Sequence, residues 1–471
     1  MFRGSIRKVE KLLSTARINA GRHPVCCISG LRHGHSLANE EEQEILSLPA
    51  QYLRAMDASE FDPSTFQRNN VRYDPQNGKP SLNDGHYQSA SGKSRNNIIV
   101  KCSFDPKADC YHIIWEDGLQ SRFSNQWVKG ELSKYFGGSR NTDTGLDQKI
   151  LWSDLNESSV RSSDMTLGFR DVVQSDQGMS AALKALYQYG ILLVTQTPTD
   201  DDGAGVAALA AALGGGSMKN DNPTSLLPSY RNNPKECGIA FPNGTDGPLR
   251  TLYGTVWATS TSFQGDGASV ADSAYGQEGL PLHTDMTYHQ DPPGLQIFTM
   301  VQPALKGGES VFADGFAIAE NLRINHPEAF STLSQTPRRY RCIDPTTGWN
   351  LEAHGPVIVL RNNQIVGIRH NDLDRLPDLP PPNRTDDDEV EAFYNSLTEA
   401  HRAWDDMISM DKYRLVVALK PGDTMVVANH RCFHGRYSFE TNESTPRAVI
   451  GCYMSQDELN SRFRQEGFVV P

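Results

Sequence analysis

His283-Thr284-Asp285, followed far downstream by His434-Gly435-Arg436, is the set of residues in this chain most suited to chemistry. Two imidazoles and one carboxylate can occupy one face of a metal and leave the opposite positions open, which is the coordination of a non-heme Fe(II) centre that works on oxygen. The single carboxylate offsets part of the metal charge and leaves the site cationic enough to hold an acidic co-substrate. On a strand, side chains two apart share a face, so the spacing predicts that His283 and Asp285 reach one ion while Thr284 points away.

The triplet alone is not specific, because the chain carries a second one, His370-Asn371-Asp372. Context separates them. Gly279-Leu280-Pro281-Leu282 before His283, and Pro292-Pro293-Gly294-Leu295-Gln296-Ile297-Phe298 after it, read as two strand segments joined by a turn. His370 instead leads into Asp372-Leu373-Asp374-Arg375 and the proline-rich run from Pro377 to Pro382, which is loop chemistry. The reading therefore takes His283 and Asp285 as ligands and leaves His370 aside.

Elements that could position these groups follow along the chain. Ser180 to Leu186 suits a helix, Ile191 to Val194 a buried strand, and Ala204 to Leu213 a second helix ended by Gly214-Gly215-Gly216. Val390, Phe393, Leu397, Trp404 and Ile408 form a helical apolar stripe, read as core contacts. Leu415-Val416-Val417 and Met425-Val426-Val427 flank Pro421-Gly422-Asp423, and this is expected to be a hairpin that delivers His434. Near the other end, Ile98 to Cys102 and Cys110 to Trp115 are strand-like, with a polar turn between them.

From Tyr253 to Arg447 and on to Tyr453 the chain resembles the γ-butyrobetaine and trimethyllysine hydroxylases, a carnitine-pathway group of 2-oxoglutarate-dependent Fe(II) dioxygenases in the taurine dioxygenase-like superfamily. The runs that carry the resemblance are Tyr253-Gly254-x-x-Trp257, Ala274-Tyr275, His283 to Tyr288, Gly307-Gly308-Glu309, Asp314-Gly315-Phe316, His434-Gly435-Arg436, Arg447 and Gly451-Cys452-Tyr453. The resemblance implies a mixed α/β, mainly β fold, with a double-stranded β-helix (a distorted jelly roll) as catalytic domain and a small β-rich N-terminal domain. It implies His283, Asp285 and His434 as iron ligands. It also implies Arg447 as the residue holding the distal carboxylate of 2-oxoglutarate, a task suited to a planar guanidinium, and ascorbate as a reductant.

Tyr253, Trp257, Tyr275 and Tyr453 fall on the aromatic cage that, in this group, surrounds a trimethylammonium ion. A quaternary ammonium has no hydrogen to donate, so ring faces must recognise it, each contributing roughly 0.5–2 kcal/mol. Asp272 and Asn371 fall where the group contacts the other end of the substrate. An Asp at the first position suits the α-amino group of trimethyllysine and would repel the bare carboxylate of γ-butyrobetaine. The spacing from His434 to Arg447 and the Pro292-Pro293-Gly294 turn resemble the γ-butyrobetaine branch instead. Both substrates stay open, as do an oxygenase of the same barrel acting on another small molecule and a metal-dependent binding protein without turnover.

With 471 residues, two domains are expected. The boundaries read are a targeting presequence over 1–36, the small domain over 40–136 and the dioxygenase domain over 150–471, with a long Asn/Pro/Gly-rich insertion over 217–247. A net charge of −12 argues against nucleic acid or an anionic membrane as partner, and no apolar run approaches the ~20 residues needed to cross a bilayer. Residues 1–36 carry seven basic side chains against Glu10, with Phe2, Ile6, Val9, Leu12, Leu13 and Ala16 at helical spacing, as in a mitochondrial presequence. Matrix targeting is therefore expected, with a basic arm on a cytoplasmic protein as the alternative. The eight scattered cysteines read as reduced thiols. In the family the N-terminal domain binds zinc and serves a homodimer. Here the aligned positions are Asp57, Ser59, Asp62 and Leu119, a set without thiolate or imidazole, so no zinc is expected and dimerisation is less certain.

Overall fold

The structure is a computed structural model describing residues 40–61, 98–135, 148–199, 203–214, 256–260, 276–344, 348–381, 386–442, 446–468 and 470. The 1–36 segment, the 217–247 insertion and the residues Asp62, Tyr253, Asp272 and Tyr275 lie outside these. The chain divides into two compact units, within 1–144 and 145–470.

In the smaller unit, helices α1 (Glu40–Ile45) and α2 (Ala50–Ala55) precede β1 (Ile99–Asp105), β2 (Cys110–Trp115) and β3 (Gln120–Ser124), an antiparallel sheet closed by α3 (Asn125–Tyr135). Alternation in β2 buries Tyr111, Ile113 and Trp115, which pack with Ile45, Leu53, Phe123, Val128 and Leu132. Arg54 lies over the Trp115 ring and is bonded to Asp117, with Nη1 3.1 Å from Oδ1. At two of the positions read against the family's zinc ligands, Asp57 caps a short turn by accepting from the Ser59 amide at 2.9 Å, and Leu119 packs against the core. Those groups are engaged in capping and packing, and their chemistry does not fit zinc.

The larger unit begins with α4 (Glu157–Arg161), β4 (Thr166–Gly168), α5 (Phe169–Gln174), α6 (Asp176–Tyr189), β5 (Ile191–Thr195) and α7 (Ala204–Gly214). Ser175 starts α6 by accepting from the Gly178 amide, and Gly190 ends it at φ 75. A Cβ at Gly190 would sit 2.7 Å from Cys432 Sγ, so both the left-handed turn and the close approach require glycine. Then come β6 (Val256–Ser260), β7 (Leu280–His283), β8 (Leu295–Gln302), β9 (Lys306–Gly307), β10 (Ser310–Asp314), α8 (Gly315–Asn325) and α9 (Pro327–Gln335). Two hairpins follow, β11 (Arg338–Asp344) with β12 (Trp349–Gly355), and β13 (Ile358–Arg361) with β14 (Gln364–Ile368). The long α10 (Asp387–Ser409) leads to β15 (Leu415–Val417), β16 (Thr424–Ala428), β17 (Cys432–Arg436), β18 (Phe439–Glu440), β19 (Ala448–Met454) and α11 (Gln456–Gln465).

Two sheets carry the unit, one ordered β15-β10-β17-β7 and one β4-β5-β16-β8-β19-β6. Ile191, Leu193, Phe298, Met300, Met425 and Val427 of the six-stranded sheet share an apolar interior with Phe312, Leu415, Val417 and Cys432 of the four-stranded one. The alternate residues Leu192, Val194, Ile297 and Val426 face outward onto α6, α7 and α11. Both faces are therefore covered, which is why these strands read as continuous apolar runs. The inserted helices α8, α9 and α10 cover the outer side of the smaller sheet through Ile318, Leu322, Leu333, Trp404 and Phe433.

One sequence expectation changes and another is refined. Leu415–Val417 and Met425–Val427 do not form a hairpin, because β15 pairs with β10 while β16 pairs with β5 and β8. The segments on either side of His283-Thr284-Asp285 are the two strands expected, β7 and β8, and they belong to different sheets. In both cases the connection crosses between layers. A local turn signal cannot distinguish such a crossing from a hairpin.

Candidate active site

Register, not proximity in sequence, brings the two histidines together. Antiparallel pairing of β7 with β17 sets His283 opposite His434, their rings 4.3 Å apart. Gly435 permits this close pairing, since a Cβ there would lie 2.7 Å from the Leu280 carbonyl. Asp285 is not on the strand, as alternation had predicted; β7 ends at His283 and Asp285 occupies the turn beyond it, before Met286 at φ 55. Asn429 pins that turn, accepting from the Asp285 amide at 2.7 Å and donating to the Asp285 carbonyl at 3.1 Å. The result is a carboxylate 3.3 Å from His283 Nε2 and 3.5 Å from His434 Nε2.

Ligand atoms of His283, Asp285 and His434 all lie within 4.8 Å of one another. With its Nδ1–H donated to the Pro281 carbonyl at 2.7 Å, His283 keeps Nε2 as a lone-pair donor directed at the cluster. Burial alone would raise the Asp285 pKa, but His434 and His283 hold its carboxyl well below the usual carboxylate range. Burial pushes the His434 imidazole down, so it is neutral near pH 7. One anionic oxygen donor and two imidazole donors, clustered and desolvated, fit a ferrous ion.

The opposite sheet orients the carboxylate. Gln296 on β8 and Tyr453 on β19 are register partners, and both donate to Asp285 Oδ2, the tyrosine hydroxyl at 2.9 Å. Tyr453 was expected as a cage ring; it lines the cavity, and its hydroxyl also takes this second task. Trp257 on β6 is 6.0 Å from it, ring to ring. Gly451, opposite Trp257 in register, leaves room for that indole, since a Cβ there would be 2.2 Å from Trp257 Cζ2.

A cavity of about 150 Å³ joins these groups, lined by the His283, Asp285 and His434 cluster, by Trp257, Tyr288 and Tyr453, by Asn371 and Asp374, and by Arg447. Arg447 is not a surface ion pair. It is 6% exposed, its Nε has no hydrogen-bond partner among the described residues, and burial and the neighbouring Arg436 push its pKa down to about 10. A buried guanidinium on the cavity wall, with no carboxylate paired to it among the described residues, fits a dicarboxylate co-substrate. Asn371 donates from Nδ2 to Asp374 Oδ2 at 2.9 Å and accepts from the Leu373 amide, and Thr287 adds a second bond to the same Asp374 oxygen.

Sequence reading missed Gln296, Asn429, Tyr288 and Asp374. The two amides carried a signal: each interrupts or ends an apolar strand, Leu295-Gln296-Ile297 and Val427-Ala428-Asn429, where a polar side chain must find a partner.

A family model described as "Taurine catabolism dioxygenase TauD, TfdA family" matches residues 157–453, more than half of the chain. Among curated proteins, mitochondrial trimethyllysine dioxygenase of Gallus gallus is 27% identical over 386 residues, covering 80% of this chain and 78% of the relative. The Homo sapiens protein of the same name is 31% identical, over 75% of this chain and 71% of its own length. Gamma-butyrobetaine dioxygenase of Pongo abelii is 25% identical, over 78% and 82%.

Proposed function

Because the chain belongs to the taurine catabolism dioxygenase TauD, TfdA family and stands in it with the trimethyllysine and γ-butyrobetaine dioxygenases, we propose that it hydroxylates a trimethylammonium substrate of carnitine biosynthesis with Fe(II) and 2-oxoglutarate. The observation that carries this reading is the convergence, on one cavity, of the His283, Asp285 and His434 cluster, the buried Arg447 guanidinium and the rings of Trp257, Tyr288 and Tyr453.

When bound, iron and 2-oxoglutarate supply the oxidising chemistry: dioxygen decarboxylates 2-oxoglutarate to succinate and carbon dioxide, and its second oxygen atom enters a substrate C–H bond. The residues of the chain bind and orient. His283, Asp285 and His434 hold the metal on one face, while Tyr453 and Gln296 fix which carboxylate oxygen Asp285 presents. Arg447 holds the far carboxylate of the co-substrate. Trp257, Tyr288 and Tyr453 line the trimethylammonium position and exclude water from it, and Tyr253 and Tyr275 complete the cage by resemblance.

At the other end of the substrate, Asn371 offers an N–H to a carboxylate and Asp374 a carboxylate to an ammonium. That pair matches an α-amino acid head and disfavours a bare carboxylate, and Asp272 points the same way by resemblance. We therefore place trimethyllysine ahead of γ-butyrobetaine. The two facing sheets are read as a distorted jelly roll, with domains over 40–136 and 150–471, and residues 1–36 as a matrix address, in keeping with relatives named mitochondrial.

The test is succinate release on trimethyllysine and γ-butyrobetaine side by side. Turnover of trimethyllysine that disappears in His283→Ala is the expected result. Succinate formation unchanged by that substitution would remove the ligand assignment, and turnover of neither substrate would remove the proposed function.

A further inference from the structure

The second His-x-Asp triplet, which the site above does not use, has its own surroundings. His370 and Asp372 follow β14 in a loop, and Asp405 reaches them from α10; one ligand atom of each lies within 4.8 Å of the others. His401, one helical turn before Asp405, lies on the same face of α10, and both line a second cavity beside β11. We propose that His370, Asp372 and Asp405, with His401 beside Asp405 on α10, form a site for a divalent transition metal, separate from the His283, Asp285 and His434 cluster.

Three observations carry this. His401 is 8% exposed, and neither of its ring nitrogens has a hydrogen-bond partner among the described residues. A buried polar atom left unmade costs about 1–3 kcal/mol, so a core histidine is normally bonded at one nitrogen at least. His370 is 5% exposed and packed edge-on against Trp404 and Phe433, and its Nε2 lies 4.0 Å from Asp372 Oδ2. Burial keeps both imidazoles neutral, the form that coordinates a metal.

The carboxylates complete the set. Asp372 is oriented by Arg375 at Oδ1, 3.3 Å away, which leaves Oδ2 on the His370 side. Asp372 and Asp405 are both exposed carboxylates; partial desolvation of Asp405 first, then the like charge of Asp372, pushes its pKa up to about 6, which a cation would relieve. Of the other two arginines that line the cavity, Arg338 and Arg402, Arg338 is engaged by Asp378 through two hydrogen bonds. Mixed imidazole and carboxylate ligands suit zinc, cobalt or manganese rather than calcium.

The site is coupled to the first by backbone. His370 donates its amide to Thr284 Oγ1 at 2.9 Å and accepts the Thr284 amide at 2.7 Å, so an ion on His370 braces the residue between His283 and Asp285.

Cobalt(II) is the probe, with bound metal counted after dialysis and followed by calorimetric titration. In His283→Ala/His434→Ala, which lacks the first cluster, one equivalent of cobalt should still bind. Adding Asp405→Asn and His401→Ala on that background should weaken it at least tenfold; should that variant not fold, Asp405→Asn alone, nearly isosteric and on an exposed helix face, should do the same in part. Absence of cobalt from the first variant, equal affinity with and without the α10 substitutions, or displacement of the effect by inorganic phosphate, which would assign the cavity to its arginines, would each overturn the proposal.

Discussion

Tyr453 shows how much one side chain can hold. Its ring faces the cavity beside Trp257 while its hydroxyl fixes Asp285 Oδ2. Phenylalanine at this position keeps the ring and removes only the bond, so Tyr453→Phe should lower kcat about 10–100-fold, the usual loss for a residue that orients a metal ligand, with a smaller change in KM for the trimethylammonium substrate. Steady-state kinetics separates the two parameters. Asp374→Asn asks a different question. It removes the charge facing an α-ammonium, so kcat/KM for trimethyllysine should fall about tenfold or more, whereas that for γ-butyrobetaine should hold or rise. An equal loss on both substrates would leave Asp374 with a structural role alone.

At the level of elements, the join between β10, β17 and the helices rests on a buried ion pair. Asp314 is fully buried, accepts from Arg431 Nη2 at 2.7 Å and Nε at 3.1 Å, and also caps α8 through the Phe316 amide. Arg431 in turn binds the carbonyls of Ile150, Tyr187 and Gln188. Asp314→Asn leaves that guanidinium buried without its counter-charge and should destabilise the larger unit by about 3–5 kcal/mol, read as a lower denaturant midpoint. The β19–β6 pair makes a sharper prediction for function. Gly451→Ala must displace the Trp257 ring, so KM for the trimethylammonium substrate should rise several-fold while KM for 2-oxoglutarate changes little.

For the whole molecule, the metal and co-substrate belong to one unit only. Manganese(II) with 2-oxoglutarate, each at about 100 times its Kd, should stabilise the 145–470 unit by about 2.7 kcal/mol per ligand, and leave the unfolding of the smaller unit unchanged. Calorimetry resolves the two transitions. The smaller unit has Trp115, Tyr111 and Leu53 in its core. The basic segment 1–36 makes the remaining prediction: fused to a fluorescent protein it should direct it to mitochondria, and an even cytoplasmic signal would discard the targeting reading.

The amino-acid sequence by itself determined the donor chemistry, the family and most of the elements, because these depend on residue type and short-range period. Helix α10 follows its apolar stripe, β5 follows its unbroken aliphatic run, and spacing and resemblance together named His283, Asp285, His434 and Arg447, which line one cavity. Only the tertiary structure decided which strands pair. The expected hairpin at Pro421-Gly422-Asp423 is a crossing between sheets, and Asp285 left the strand for a turn held by Asn429, because a one-dimensional pattern records what a face buries and not what it is buried against. The meeting of His283 with His434, and of Gln296 and Tyr453 with Asp285, is set by register across two sheets, and register is settled by the packing of both layers at once.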